Sequence, residues 1–262
     1  MLLGDLYELY GWDFRSYAQA SLRRRIGVHL KTTGLEDIHA LRESVRKDPD
    51  AMAALLRSLT VHVSAMFRDP EFFLTFRTKI APMLSTYPYL RLWVAGSSTG
   101  EELYSLAIVL QETGLYERSR IYATDINDAV LDRARAGVYP IGPMQDYTRN
   151  YHASGGQRPF GEYYTADSEY AVFNPALRKN VVFAAHNLAT DASFNEFHVI
   201  FCRNVMIYFN KTLQERVHRL FYDSLLALGY LGLGRSESIR FSPHEADYEP
   251  VEAARRLYRK LQ

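Results

Sequence analysis

The sequence predicts an α/β fold: a doubly wound, mainly parallel sheet behind an all-helical N-terminal domain, with a small antiparallel β insertion. Three observations predict it. Residues Arg91–Leu110 read as strand, glycine loop and helix. Further apolar strand candidates alternate with helical patterns down the chain, as in sheets covered on both faces. Residues 1–80 read as mostly helical.

In order along the chain, Leu22, Ile26 and Leu30 share a helical stripe beside Arg23, Arg24 and Arg25. Such a run reads as a solvated face or as a dock for an acidic partner helix. Gly34 and the KDPD run Lys47–Asp50 punctuate the helices, and Ala51–Leu59 resumes the apolar pattern. The helical domain with its linker is expected over 1–80, with MLSTYPYL (Met83–Leu90) leading into a sheet domain over 81–262. Leu92–Ala95 is the first strand. Leu103, Leu106, Ala107 and Leu110 then recur at amphipathic-helix spacing. Arg120–Thr124 is the second strand, ended by Asp125, and Ala129–Ala136 is a helix stopped by Gly137. Gly155–Phe183 is the expected β-subdomain, with β-prone runs at Tyr163–Thr165, Tyr170–Phe173 and Val181–Phe183. Its tyrosines read equally as packing and as recognition residues. Val199–Cys202 is a buried strand. Asn210 caps the helix carrying Leu213, Val217, Leu220 and Phe221 on one face. Leu228–Leu233 returns as another strand.

The loop after the first strand carries the chemistry. Gly96–Gly100 allows close approach of a ligand to the backbone, yet Glu101 and Glu102 open the following helix. A pyrophosphate binds at helix N-termini because free N–H groups and the dipole favour an anion. Two carboxylates there repel phosphate and suit a cation, such as the sulfonium and ammonium groups of S-adenosylmethionine. They also read as plain complements of the helix dipole. Asp125 stands where an acid accepts hydrogen bonds from two ribose hydroxyls, a feature shared with dinucleotide sites.

The bulk numbers are those of an ordinary globular protein, with 47% hydrophobic and 23% charged residues. A formal net charge of +1 makes no case for nucleic acid or membrane-surface binding. No apolar run approaches the ~18 residues of a membrane span. The N-terminus has no basic n-region, so a cytoplasmic protein is expected. The single cysteine, Cys202, excludes an intramolecular disulfide, and the histidines show no metal-ligand spacing, so no metal is expected.

AGSSTGEELYSLA, ATDIN, HNL (His186–Leu188) and FCRNVMIYF resemble the bacterial chemotaxis receptor methyltransferases of the CheR type. LTVHVSAMFRDPEFF (Leu59–Phe73) is similar to the stretch joining their two domains, and YGWDFRSYAQASLRRRI (Tyr10–Ile26) to the start of their helical domain. The resemblance runs on to Ser236–Ser238. It implies a Rossmann-like S-adenosylmethionine-dependent methyltransferase sheet and a reaction that forms glutamyl methyl esters, leaving S-adenosylhomocysteine. The cofactor element of the family falls on His62, Ser64 and Arg68. Glu102, with Glu101 close behind, would meet the methionine amino group near Gly96. Asp125 would take the ribose, and Asn187 and Leu188 would flank the adenine. Arg203, Asn204 and Tyr208 would line the methyl-transfer end, with Arg68 and Tyr208 positioning the acceptor.

The implied partner is the cytoplasmic domain of a chemoreceptor or similar signalling protein, with a receptor tail peptide at the β-subdomain in some members. The enzyme is expected as a monomer. His62 stands where the family has Asn, Ser64 where it has Thr, Leu103 where it has Pro and His198 where it has Asp. Two other readings stand beside this one. One is a signalling adaptor that binds the cofactor without transferring methyl, suggested by His62. The other is a methyltransferase for nucleic acid or a small molecule; the near-neutral charge and the incomplete Asn174–Pro175 motif argue against nucleic acid.

Overall fold

A computed structural model describes residues 2–60 and 64–262. Helices α1 (Leu2–Tyr10), α2 (Gln19–Thr33), α3 (Ile38–Lys47) and α4 (Pro49–Leu59) form the N-terminal unit. α2 stops at Gly34, whose φ of 71° favours a residue without Cβ. Asp37 caps α3 by accepting the N–H groups of His39 and Ala40, each at 2.8 Å. Asp48 caps α4, with Pro49 in its first turn where no N–H is needed. Phe14, Leu22, Leu41, Val45, Leu55 and Leu59 make the core, with Ile26 and Leu30 packed partly against it, as the stripe predicts. Arg23 and Arg24 are exposed; Arg25 is half-buried.

The chain then runs through α5 (Pro70–Thr75), a π-type turn (Phe76–Ile80) and α6 (Ala81–Leu84). Phe67, Phe72, Phe73 and Phe76 share a buried cluster with Leu92 and Phe201. By packing, this segment sides with the sheet. The stretch expected as linker narrows to residues 85–89, because Met83 and Leu84 finish α6 and Leu90 opens the first strand.

Seven strands form the main sheet: β1 (Leu90–Ala95), β2 (Ser119–Asp125), β6 (Val181–Ala185), β7 (Phe197–Cys202), β8 (Leu225–Leu233), β9 (Tyr248–Glu252) and β10 (Leu257–Lys260). Their order is β6-β2-β1-β7-β8-β10-β9. The first five are parallel, and β10 runs antiparallel to both its neighbours. Succession moves outward from β1 to β2 and β6, then returns to β7 on the other side of β1. The strand order therefore reverses between β1 and β7, where Val94 pairs with Phe201.

Alternate residues serve the two faces. Leu92, Val94, Val199 and Phe201 pack beneath α5, α6 and α7 (Glu101–Glu112). Trp93, Ala95, Ile200 and Cys202 pack beneath α10 (Lys211–Ser224), through its Leu213, Val217, Leu220 and Phe221. Helix α8 (Asp128–Ala136) follows β2 and ends at Gly137. The predicted stripe on α7 is real but incomplete, for every residue from Leu103 to Leu110 is buried. Tyr104 on its outer side meets Tyr139 and Phe173.

Those two aromatics belong to a second, three-stranded antiparallel sheet, ordered β3-β5-β4: β3 (Val138–Pro140), β4 (Tyr164–Ala166) and β5 (Tyr170–Phe173). Helix α9 (Met144–Ala153) lies between β3 and β4. This corrects the expected extent of the insertion at both ends. Its sheet begins at Val138, and the run Val181–Phe183 pairs parallel to β2, with Ile121 opposite Val181. A short β-prone run carries no mark of which distant strand it will join.

Glu112, at the end of α7, anchors the small sheet. It pairs with Arg77 at 2.5 Å, with the two side chains only 10% and 9% exposed. Its other oxygen accepts the hydroxyls of Tyr151 and Tyr163, the latter at 2.8 Å. Arg77→Met would leave the carboxylate buried without its cation. The expected loss is about 3–5 kcal/mol in urea unfolding, with faster hydrogen exchange in β3–β5; an unchanged midpoint would contradict the anchor.

Candidate functional site

Open α/β sheets bind ligands beyond the carboxyl ends of their strands, where the order reverses. A cleft holding about 950 Å³ of space, partly open to solvent, lies there. The loop after β1 forms its floor. Gly96 and Ser97 donate their N–H groups to the Thr124 carbonyl at 2.9 and 2.8 Å. Gly96 has φ +73°, and a Cβ there would come within 2.4 Å of Val205. Glycine thus lets the loops after β1 and β7 touch.

Asp125, at the end of β2, receives the N–H of Ser98 at 2.9 Å and of Asn127 at 3.1 Å. Burial nevertheless pushes its carboxyl above the usual range, with those bonds opposing. Asn187 and Leu188, beyond β6, line the same cleft. Among the described residues, Ser97 Oγ and His186 Nδ1 are buried without a hydrogen-bond partner, and both residues line the cleft. Unpaired buried polar atoms of this kind are expensive and suit a polar ligand. A nucleoside, rich in donors and acceptors, fits this lining.

The two glutamates part company. Glu102 lines the cleft, whereas Glu101 does not; it turns aside to accept the Thr99 hydroxyl at 2.7 Å. Burial raises both carboxyls, opposed by Thr99 and Ser64 at Glu101 and by Arg203 at Glu102. Arg203 is the partner that keeps a carboxylate acceptable there. It donates to Glu102 at 2.7 Å, to Asp69 at 2.7 Å and to the Arg68 carbonyl at 2.9 Å. Its guanidinium also lies 4.1 Å from the centre of the Phe72 ring.

Ser64, Arg68, Asn204 and Tyr208 complete the predicted set in the cleft. Of that set, His62 lies outside the described residues. Sequence reasoning missed the contributions of the helical unit, namely Tyr17, Arg25, Leu59 and Thr60. Arg25 lies over the Tyr208 ring, 4.6 Å from its centre. Ala18 donates its N–H to the Tyr208 carbonyl at 2.8 Å.

Glu237 was missed as well. This buried carboxylate accepts four backbone N–H groups: Gly234 at 2.7 Å, Asn204 at 2.8 Å, Val205 at 2.9 Å and Ile207 at 3.3 Å. It holds Asn204 in a left-handed conformation, φ 61°. The Ser-Glu-Ser stretch around it gave no hint beyond closing the resemblance. Cys202 is buried, which pushes its thiol well above the ordinary value and leaves it a packing residue.

The family model "CheR methyltransferase, SAM binding domain" matches residues 62–256, and "CheR methyltransferase, all-alpha domain" matches residues 1–60. A Pseudomonas putida protein described as "Putative methyltransferase Cher3" is 48% identical over 260 residues, covering 99% of this chain and 95% of that protein. Chemotaxis protein methyltransferase 2 of Pseudomonas aeruginosa is 31% identical, covering 91% of this chain and 85% of its own. The chemotaxis protein methyltransferase of Salmonella typhimurium is 30% identical, covering 89% and 81%. Among the described residues, no helix is long and apolar enough to cross a membrane.

Glu237→Gln replaces one acceptor oxygen by an N–H donor facing backbone donors. The expected cost is about 1.5–3 kcal/mol, read in urea unfolding, with a local loss of exchange protection at Asn204–Ile207. Protection unchanged at those amides would show that the carboxylate does not hold the loop.

Proposed function

The chain belongs to the CheR methyltransferase family and is an S-adenosylmethionine-dependent methyltransferase, and from that premise we propose that it methylates glutamate side chains on the cytoplasmic domain of a chemoreceptor or similar signalling protein, acting as a monomer. One observation carries the reading. A single cleft offers carboxylates suited to a cationic nucleoside, Glu102 and Asp125, together with Arg68, suited to an acceptor carboxylate. In the proposed assignment Asp125 receives the ribose hydroxyls, Asn187 and Leu188 flank the adenine, and Ser64 and Gly96 contact the donor. Glu102, with Glu101 behind it, faces the amino-acid end. His62 is assigned to the same end by position in the sequence alone.

S-adenosylmethionine supplies a methyl group on a sulfonium, already activated for displacement. The acceptor glutamate has a reference pKa near ~4.3 and is ionised at neutral pH, so no side chain has to remove a proton. The protein's work is then alignment and exclusion of water. Arg68 pairs with the acceptor carboxylate, and the Tyr208 hydroxyl donates a hydrogen bond beside it. Arg203 and Asn204 shape that end of the cleft. Because opposite charges neutralise as the methyl transfers, the half-closed cleft favours the reaction over bulk water. A receptor tail peptide is assigned to the small antiparallel sheet, whose outer strands β3 and β4 each pair on one side only.

Incubation with radiolabelled S-adenosylmethionine and receptor-bearing membranes should yield base-labile methyl esters, reduced in Arg68→Ala. Label that resists base, or none at all, would refute ester formation.

Ligand affinity should also depend on pH. Asp125 and Glu102 are raised by burial but serve the ligand as carboxylates, so binding releases their protons. Affinity for S-adenosylhomocysteine therefore falls as pH is lowered through the window just above ordinary carboxyl values of ~4. Calorimetry across that window checks it; a flat affinity would contradict the assignment.

A further inference from the structure

We propose that Tyr17, in the helical unit, is a nucleoside-binding residue of the S-adenosylmethionine site, its hydroxyl donating a hydrogen bond to the ribose beside Asp125. The inference deepens the proposed function and rests on the assignment of Asp125 to the ribose.

Tyr17 lines the same cleft as Asp125, Ser98 and Asn187, although it comes from the opposite end of the domain order. Its place is fixed by backbone. Tyr17 forms an antiparallel bridge with Phe209, Ala18 donates to the Tyr208 carbonyl at 2.8 Å, and Asn210 donates to the Ser16 carbonyl at 2.9 Å. The ring is fixed too. Phe14 and Phe209 each meet it edge-on, with ring centroids 4.9 Å away.

Packing therefore accounts for the carbon skeleton and leaves the oxygen unexplained. Among the described residues the hydroxyl has no hydrogen-bond partner, and it is not sealed from the cleft. Burial first, then the nearby charge of Asp125, holds the phenol protonated far above its ordinary value. It is a donor at any working pH. As a carboxylate, Asp125 can only accept hydrogen bonds from the ribose hydroxyls and offers them no donor. A ribose oxygen beside it still needs a donor, and the Tyr17 hydroxyl has the right chemistry. The helical unit is thus part of the cofactor site.

Tyr17→Phe removes one oxygen and keeps the ring. Calorimetry is run with S-adenosylhomocysteine and with 5′-methylthioadenosine, which lacks the amino-acid end. Both affinities should fall about three- to tenfold, the net worth of one hydrogen bond, with the ligand-free thermal midpoint unchanged. Unchanged affinity, whether or not the midpoint drops, overturns the proposal, as does a loss confined to S-adenosylhomocysteine. Asp125→Asn, measured in parallel, separates the two readings. Weaker binding there beside an unaffected Tyr17→Phe sinks this inference alone. Unaffected binding in both removes the ribose assignment itself.

Discussion

The cleft depends on one buried cation. Arg203, with 1% of its side chain exposed, binds Glu102 at the start of α7, Asp69 and the Arg68 carbonyl ahead of α5, and covers Phe72. Removing a guanidinium from water is costly unless charges and acceptors replace the solvent. Here three oxygens do so, and they come from two separate segments. Satisfying one side chain at the end of β7 therefore draws the connecting segment and the first sheet helix to the same point. The same pairing leaves Glu102 ionisable inside the protein.

The stretch from Arg203 to Asn210 is then held on two sides. Glu237 gathers its N–H groups from within the sheet domain. The helical unit takes its carbonyl and ring from outside, through Ala18 and Arg25. A left-handed Asn204 survives because this surrounding network over-determines it. These contacts hold the loop, whose regular structure is one short turn at Met206–Tyr208 and a single antiparallel bridge from Phe209 to Tyr17.

What could be read in advance follows from how local each feature is. Gly96–Glu102 and Asp125 announce themselves because strand, turn and helix start are written in adjacent residues, and β7 because Val199–Cys202 is an unbroken apolar run. The doubly wound sheet follows from alternation. The choice between Glu101 and Glu102 is a helix-rotation question that spacing poses and only Arg203 answers. Val181–Ala185 and Glu237 were illegible for a different reason. Most of their partners lie tens of residues away, and nothing nearby distinguishes an edge strand from an insertion or a structural carboxylate from a surface one. Tyr17 stands farther still from its neighbours in the cleft, and the aromatic pattern around it reads first as core.

Helix α7 spans the distance between the two anchors, Glu102 at the cleft and Glu112 under the small sheet. Ten residues of α-helix measure about 15 Å, and the helix is buried along its whole middle, from Leu103 to Leu110. It works as a ruler. Under the proposed seating of a receptor tail on the small sheet, one helix length would set the offset between that seat and the cleft mouth, and so the reach a tether needs.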